Sequence, residues 1–289
     1  MIIRKLFLIL LVNVCVVSCK KESSNDGDNT VEASTIMDVS YGTDPLQKMD
    51  IYLPAGRTTS NTKVIVMIHG GAYVLGDKAD FKQYVDTLKK RLPKYAIFNI
   101  NYRLTTPPTN TFPTQENDVK AAMDFISSKS SEYLIGNKWV LMGASAGAHL
   151  AMLQAYKYSA PVKPKAVIDF FGPTNITDLY ENPGLITANQ VASIVGATPA
   201  SNPQIYEQSS PITFATTGNA CPTLILQGTN DPLVNVNRQS AALAGKFQMQ
   251  GLPYQFIQYP GKGHGDDWDN ATFFDAFDRA EDFINQYNP

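Results

Sequence analysis

The segment Gly143-Ala144-Ser145-Ala146-Gly147 offers a side chain that can become a nucleophile. Lys138 to Met142 before it reads as a strand and Ser145 to Tyr158 as a helix, so the serine falls on a strand-turn-helix junction. Such a turn holds the serine in a strained backbone and needs small neighbours, because adjacent turns crowd it. Its hydroxyl then projects above the sheet at a helix N-terminus, where the Ala146 N–H and the helix dipole can receive developing negative charge. The spelling alone is weak; its position gives it weight.

A hydroxyl attacks only when a base takes its proton, and the chain has three histidines. His69 stands in a loop whose glycines suggest a different duty, and His149 lies one helical turn beyond Ser145, pointing into the packing below. His264 remains: it sits in Gly261-Lys262-Gly263-His264-Gly265, directly after the last strand, and can stand at the carboxyl edge of the sheet. The base in turn needs a carboxylate to fix its tautomer. Of the aspartates between Ser145 and His264, Asp169 is inside an apolar strand and Asp178 is on an inserted segment. Asp231, one turn after the PTLILQ strand, is the expected acid. His69-Gly70-Gly71-Ala72 can supply the anion site, with the N–H of Gly71 or Ala72 joining that of Ala146. Tyr73, Tyr180 and Trp268 are candidates for lining an acyl or sugar pocket, with core packing an equally good reading of each. No cluster of His, Cys or Asp has metal-ligand spacing, so no metal and no cofactor are expected.

To bring these residues to one edge, the chain must alternate strands with helices. Strands are predicted at 35–41, 47–53, 63–68, 95–102, 138–142, 165–171, 222–227 and 253–259. Helices are predicted at 81–92, 115–127, 145–158, 236–249 and 269–287. This is the signature of βαβ units: an α/β fold with about eight mostly parallel strands and helices on both faces. Residues 174–215, rich in proline and weakly periodic, read as a short inserted cap region over one edge and not as a separate domain.

The 289 residues are 44% apolar and 17% charged, enough for a sizeable core and against disorder throughout. The formal charge of −2 and the absence of a basic stripe argue against nucleic acid as a partner. Arg4 and Lys5 precede an apolar stretch from Leu6 to Val17, too short to span a bilayer comfortably and of the kind a secretory signal uses. Val16-Val17-Ser18-Cys19 resembles a bacterial lipobox, which implies a signal peptide over 1–18, lipidation of Cys19 and a membrane attachment through it. Residues 19–34 then form a flexible tether and 35–289 the body. With Cys221 the remaining cysteine of that body, no intramolecular disulfide is expected.

The order serine, acid, histidine, together with His69-Gly70-Gly71, Asn101-Tyr102-Arg103-Leu104, Gly143 to Gly147 and Gly263-His264-Gly265, resembles the α/β-hydrolase superfamily. Within it the chain is similar to hormone-sensitive-lipase-like esterases and, closer still, to bacterial feruloyl and acetylxylan esterases. The resemblance implies Ser145 as nucleophile, His264 as base and Asp231 as orienting acid, with Gly71, Ala72 and Ala146 as the oxyanion hole. It also implies structural ion pairing for Arg103 and Asp118. The expected activity is hydrolysis of acetyl, feruloyl or other short acyl esters of carbohydrates or small molecules, at a bacterial envelope facing periplasm or exterior. Ala72 stands where many such esterases have a third glycine. Ser145 to His149 also resembles the aryl formamidases, so amide cleavage stays open, as does a non-catalytic surface lipoprotein that binds without reacting.

Overall fold

A computed structural model describes residues 31–289; the signal segment, Cys19 and residues 20–30 lie outside the described residues. Eight strands form one sheet: β1 (Ser34–Ser40), β2 (Lys48–Leu53), β3 (Lys63–Ile68), β4 (Tyr95–Ile100), β5 (Trp139–Ala144), β6 (Ala166–Phe170), β7 (Thr223–Gly228) and β8 (Tyr254–Tyr259). Their spatial order is β1-β2-β4-β3-β5-β6-β7-β8. β2 pairs antiparallel with β1 and with β4, and every pairing from β4 across to β8 is parallel. Before β1, the Val31 carbonyl accepts the Gly56 N–H at 2.7 Å.

The main helices are α1 (Lys82–Arg91), α2 (Thr114–Ser128), a one-turn α3 (Ser130–Tyr133) and α4 (Ala146–Lys157). The segment between β6 and β7 adds α5 (Ile176–Glu181), α6 (Ala188–Val195), α7 (Pro203–Gln208) and α8 (Pro211–Phe214); α9 (Ser240–Gln250) and α10 (Asn270–Tyr287) follow. β3 shows why the sheet is covered on both sides. Its alternate residues point to opposite faces, as the period of two requires, and both sets are apolar. Val64, Val66 and Ile68 join a core with Met123 of α2, Leu150 of α4 and Phe247 of α9. Ile65 and Met67 join a second core with Leu88 of α1 and Phe277 and Phe283 of α10.

Among the boundaries that differ from those read in the sequence, two have a local cause. β4 stops at Ile100 because Asn101 turns its groups to other partners: its N–H donates to the Lys48 carbonyl and its side-chain oxygen accepts the Lys78 N–H. α9 starts at Ser240, not Val236, because the Asn235 side chain accepts the Asn237 and Arg238 N–H groups and stabilises a turn there. Residues 174–215 carry the four short helices around a small apolar cluster of Ile176, Leu179, Val191, Val195 and Tyr206. Buried Asp118 on α2 pairs with Arg103 at 2.6 Å and accepts from Gln47 at 2.7 Å, which ties α2 to the strand entry. Among the described residues no helix is long and apolar enough to cross a membrane.

Candidate active site

Because β3, β5, β6, β7 and β8 run parallel, the loops after them all emerge at one edge of the sheet, the place where open α/β sheets bind ligands. The loop after β5 is the tightest. Ser145 has φ +53° and ψ −122°, a backbone conformation that costs energy for a residue with a side chain and persists only when its surroundings fix it. Its N–H donates to the Phe170 carbonyl at 2.8 Å, and α4 begins immediately after it. The flanking glycines are required by contact. A Cβ on Gly143 would lie 2.4 Å from the Gly147 carbonyl carbon, and one on Gly147 would lie 2.0 Å from the Ile68 carbonyl oxygen.

His264 reaches this point from the loop after β8. Its Nε2 is 2.8 Å from Ser145 Oγ and its Nδ1 is 2.6 Å from Asp231 Oδ2. The Asp231 carboxylate is fully buried and fully engaged: Oδ1 accepts the Leu233 and Val234 N–H groups, and Oδ2 also accepts from Gln227 Nε2 at 2.7 Å. Gln227 is fixed from behind, since its own side-chain oxygen accepts the Ser240 hydroxyl. The imidazole packs on the ring of Phe171, with centroids 4.7 Å apart, and Phe171 has φ +46° and leans edge-on against Trp268. Trp268 Nε1 donates to the Gly263 carbonyl, so the loop that carries His264 is tied to the same aromatic group.

The loop after β3 is folded against the serine. Gly71 has φ +109°, and its carbonyl accepts the Val74 and Leu75 N–H groups. A Cβ on Gly70 would sit 3.3 Å from the Ser145 Cβ, so the loop backbone passes directly beside the hydroxyl. Ala72 has φ +50°, which a third glycine would adopt at less cost, yet its N–H is still presented in this loop. The Gly71 and Ala72 N–H groups make no hydrogen bond among the described residues. Ala146, as the first residue of α4, has no carbonyl one turn back within the helix for its N–H.

The other histidines and aspartates are engaged elsewhere. His69 stacks on Tyr102 at 4.4 Å and its Nδ1 is 2.7 Å from the Gly70 carbonyl; burial lowers its pKa. His149 is fully buried with Nε2 on the Ser209 carbonyl, and burial lowers its pKa to about 4. Asp178 pairs with Arg238. Asp169 lies inside β6, with Oδ1 accepting the Gly172 N–H at 2.7 Å, and burial raises its pKa to about 7.

A cavity of about 660 Å³ opens beside Ser145 and His264. Its wall is mostly apolar, built by Met67, Met142, Tyr84, Phe170, Phe171, Phe273 and Phe277, with Asp80 and Asp266 as its carboxylates. None of the three aromatic residues singled out as pocket candidates is in that wall. Tyr73 is buried edge-on against Phe112 and His149; Tyr180 packs on Tyr206 in the 174–215 segment; Trp268 stands behind Phe171. The sequence reading missed the residues that do build the site's surroundings, Gln227, Phe171 and the pair Phe273 and Phe277. That pair is spaced i, i+4 on the buried face of α10, and the helical period could have shown it; nothing local marks Phe171.

The sheet order, the sharp turn at Ser145 and the serine–histidine–aspartate chain of contacts define the class of the molecule, the α/β-hydrolase superfamily. The chain belongs to the BD-FAE family, whose profile matches residues 49–247. It is 24% identical over 242 residues to Esterase LipC of Mycobacterium tuberculosis, covering 79% of this chain and 59% of that protein. Of solved structures, it is similar to a truncated carbohydrate esterase from gut microbiota, with a TM-score of 0.72, 24% identity and coverage of 89% of this chain and 97% of that one. A bifunctional GH43-CE protein of Bacteroides eggerthii matches with a TM-score of 0.73 and 27% identity, covering 88% of this chain and 38% of that one. The chain spans little more than half the length of the curated relatives it matches.

Proposed function

We propose that the protein is a serine-type carboxylic ester hydrolase acting on small or carbohydrate-linked acyl esters. The observation that carries this reading is the unbroken relay from Asp231 Oδ2 through His264 to Ser145 Oγ, at 2.6 and 2.8 Å. Ser145 Oγ attacks the ester carbonyl carbon while His264 Nε2 takes its proton, and Asp231 holds the ring and stabilises the imidazolium. The carbonyl oxygen, now an anion, is received by the N–H groups of Gly71, Ala72 and Ala146; one such donor contributes about a hundredfold or more in kcat. The bond to the alcohol oxygen then breaks, and that oxygen leaves with the proton from His264. Water, deprotonated by His264, attacks the acyl-serine and releases the acid, returning the proton to Ser145. No step requires a metal or cofactor.

Membership of the BD-FAE family supports the substrate class. The lipobox-like Val16 to Cys19 supports a lipid-anchored envelope protein with residues 1–18 removed, 19–34 as its tether and 35–289 as the hydrolase body, facing periplasm or exterior. The test is turnover of an activated acetate ester and labelling by a fluorophosphonate, parent against Ser145→Ala. Loss of about 10⁴-fold or more in kcat and of all labelling is expected. Activity that survives the substitution removes Ser145 from the mechanism. A parent that neither turns over nor labels is a binding protein, and one that prefers formyl anilides to every ester is an amidase.

A further inference from the structure

A second depression of about 290 Å³ adjoins the cavity at Ser145, and Ala72 and Ile186 belong to the walls of both. Its floor is apolar, from Val74, Pro107 and Ile194, while Asn189, Gln190 and Ser193 of α6 stand around it. Asn189 and Ser193 are spaced i, i+4 and Gln190 and Ser193 i, i+3, so the three share one exposed helix face. The Gln190 side-chain oxygen caps α6 by accepting from Thr187, which fixes that side chain, and its NH₂ makes no hydrogen bond among the described residues. None of the residues lining this depression is charged.

We propose that this face of α6 is a carbohydrate subsite: it holds a sugar ring of the ester's alcohol arm, while the apolar chamber takes the acyl arm, an assignment that rests on the ester-hydrolase reading. An ester with its carbonyl carbon at Ser145 has two arms to place. The chamber is walled mostly by apolar side chains, Met67, Met142, Phe273 and Phe277 among them, with Tyr84, Asp80 and Asp266 as its polar side chains beyond Ser145 and His264, and sugar hydroxyls buried unpaired against the apolar part of that wall are unfavourable. A sugar ring presents apolar C–H faces and hydroxyl edges. The apolar floor matches the first, and the neutral amides and hydroxyl of α6 match the second. Ala72 is part of both walls and of the loop beside the hydroxyl, so an alcohol arm that starts at His264 and Ser145 passes over it to α6.

The full chain and its Asn189→Ala and Ser193→Trp variants are assayed on acetylated xylotetraose and on phenyl acetate. The quantity read is the ratio of the two kcat/KM values. It falls about tenfold in Asn189→Ala, the size of one lost hydrogen bond, and further in Ser193→Trp, which fills the depression; the change lies in KM for the oligosaccharide and not in its kcat. Both positions are exposed on one helix and the substitutions are independent, so either folded variant decides. Ratios within about twofold of the parent in a folded variant overturn the assignment, as does a parent that cleaves phenyl acetate but not the acetylated sugar. A parent inactive on both overturns the ester-hydrolase reading itself.

Discussion

Asp169 holds its carboxyl group inside the sheet with Oδ1 on the Gly172 N–H and Oδ2 without a hydrogen-bond partner among the described residues. Burial raises its pKa to about 7, so over part of the pH range the folded chain keeps a proton that the unfolded chain releases. Its contribution to stability is therefore full in acid, below the ordinary carboxylate range, and is lost as pH rises through that range towards 7. His149 has the opposite sign: its imidazole is held neutral down to about 4, so it costs stability as pH falls below the ordinary histidine range. Comparison with Asp169→Asn separates the two, because the amide keeps an acceptor for Gly172 but has no proton to lose. Urea unfolding at about pH 5 and about pH 8 is expected to show the variant gaining on the parent as pH rises; a difference that is flat with pH refutes the assignment. At this scale the sequence was legible where chemistry demands rare residue types. With three histidines, elimination led to His264, and the turn after PTLILQ led to Asp231. Gln227 and Phe171 were not legible, because their neighbours at the site, Asp231 and His264, become significant to them only after the strands are assembled.

At the scale of the element, the junction between β5 and α4 depends on how near α4 comes to the end of β3. The Gly147 Cβ position is 2.0 Å from the Ile68 carbonyl oxygen and 2.4 Å from that of His69, both backbone atoms that no rotamer change can move. Gly147→Ala must push the helix off the sheet. The expected loss is about 3 kcal/mol, roughly 10 °C in melting temperature, measured by thermal unfolding; a shift of less than about 2 °C means that the helix moves freely. Strands such as Lys63–Ile68 were readable because burial on both faces demands an unbroken apolar run. The early helix boundary predicted at Val236 fails for a local reason: an Asn side chain offers the backbone a turn that competes with the helix. The four helices of 174–215 escaped because each is six to eight residues or fewer, too short for an apolar period to repeat.

For the molecule as a whole, the βαβ order was legible from β3 onward outside 174–215, since it follows from alternating run types and needs no distant contact. The placement of β2 antiparallel between β1 and β4 was not, because pairing direction leaves no trace in a run of apolar residues. The proposed anchor makes its prediction at this scale too. Expressed in a bacterial host, the parent partitions with the membrane fraction and incorporates labelled fatty acid, and Cys19→Ser does neither; equal partitioning of the two removes the lipid from the account.

Phe171 belongs at once to the chamber wall and to the bed on which the His264 ring rests. The shape of the guest space and the aim of the proton carrier are therefore coupled through one aromatic side chain. Evolution or engineering that widens the chamber at this point loosens the imidazole in the same stroke, so breadth of substrate and speed of turnover are not free to vary independently here. Phe273, which packs on Trp268, and Phe277, which packs on Phe170, stand one ring further from the imidazole.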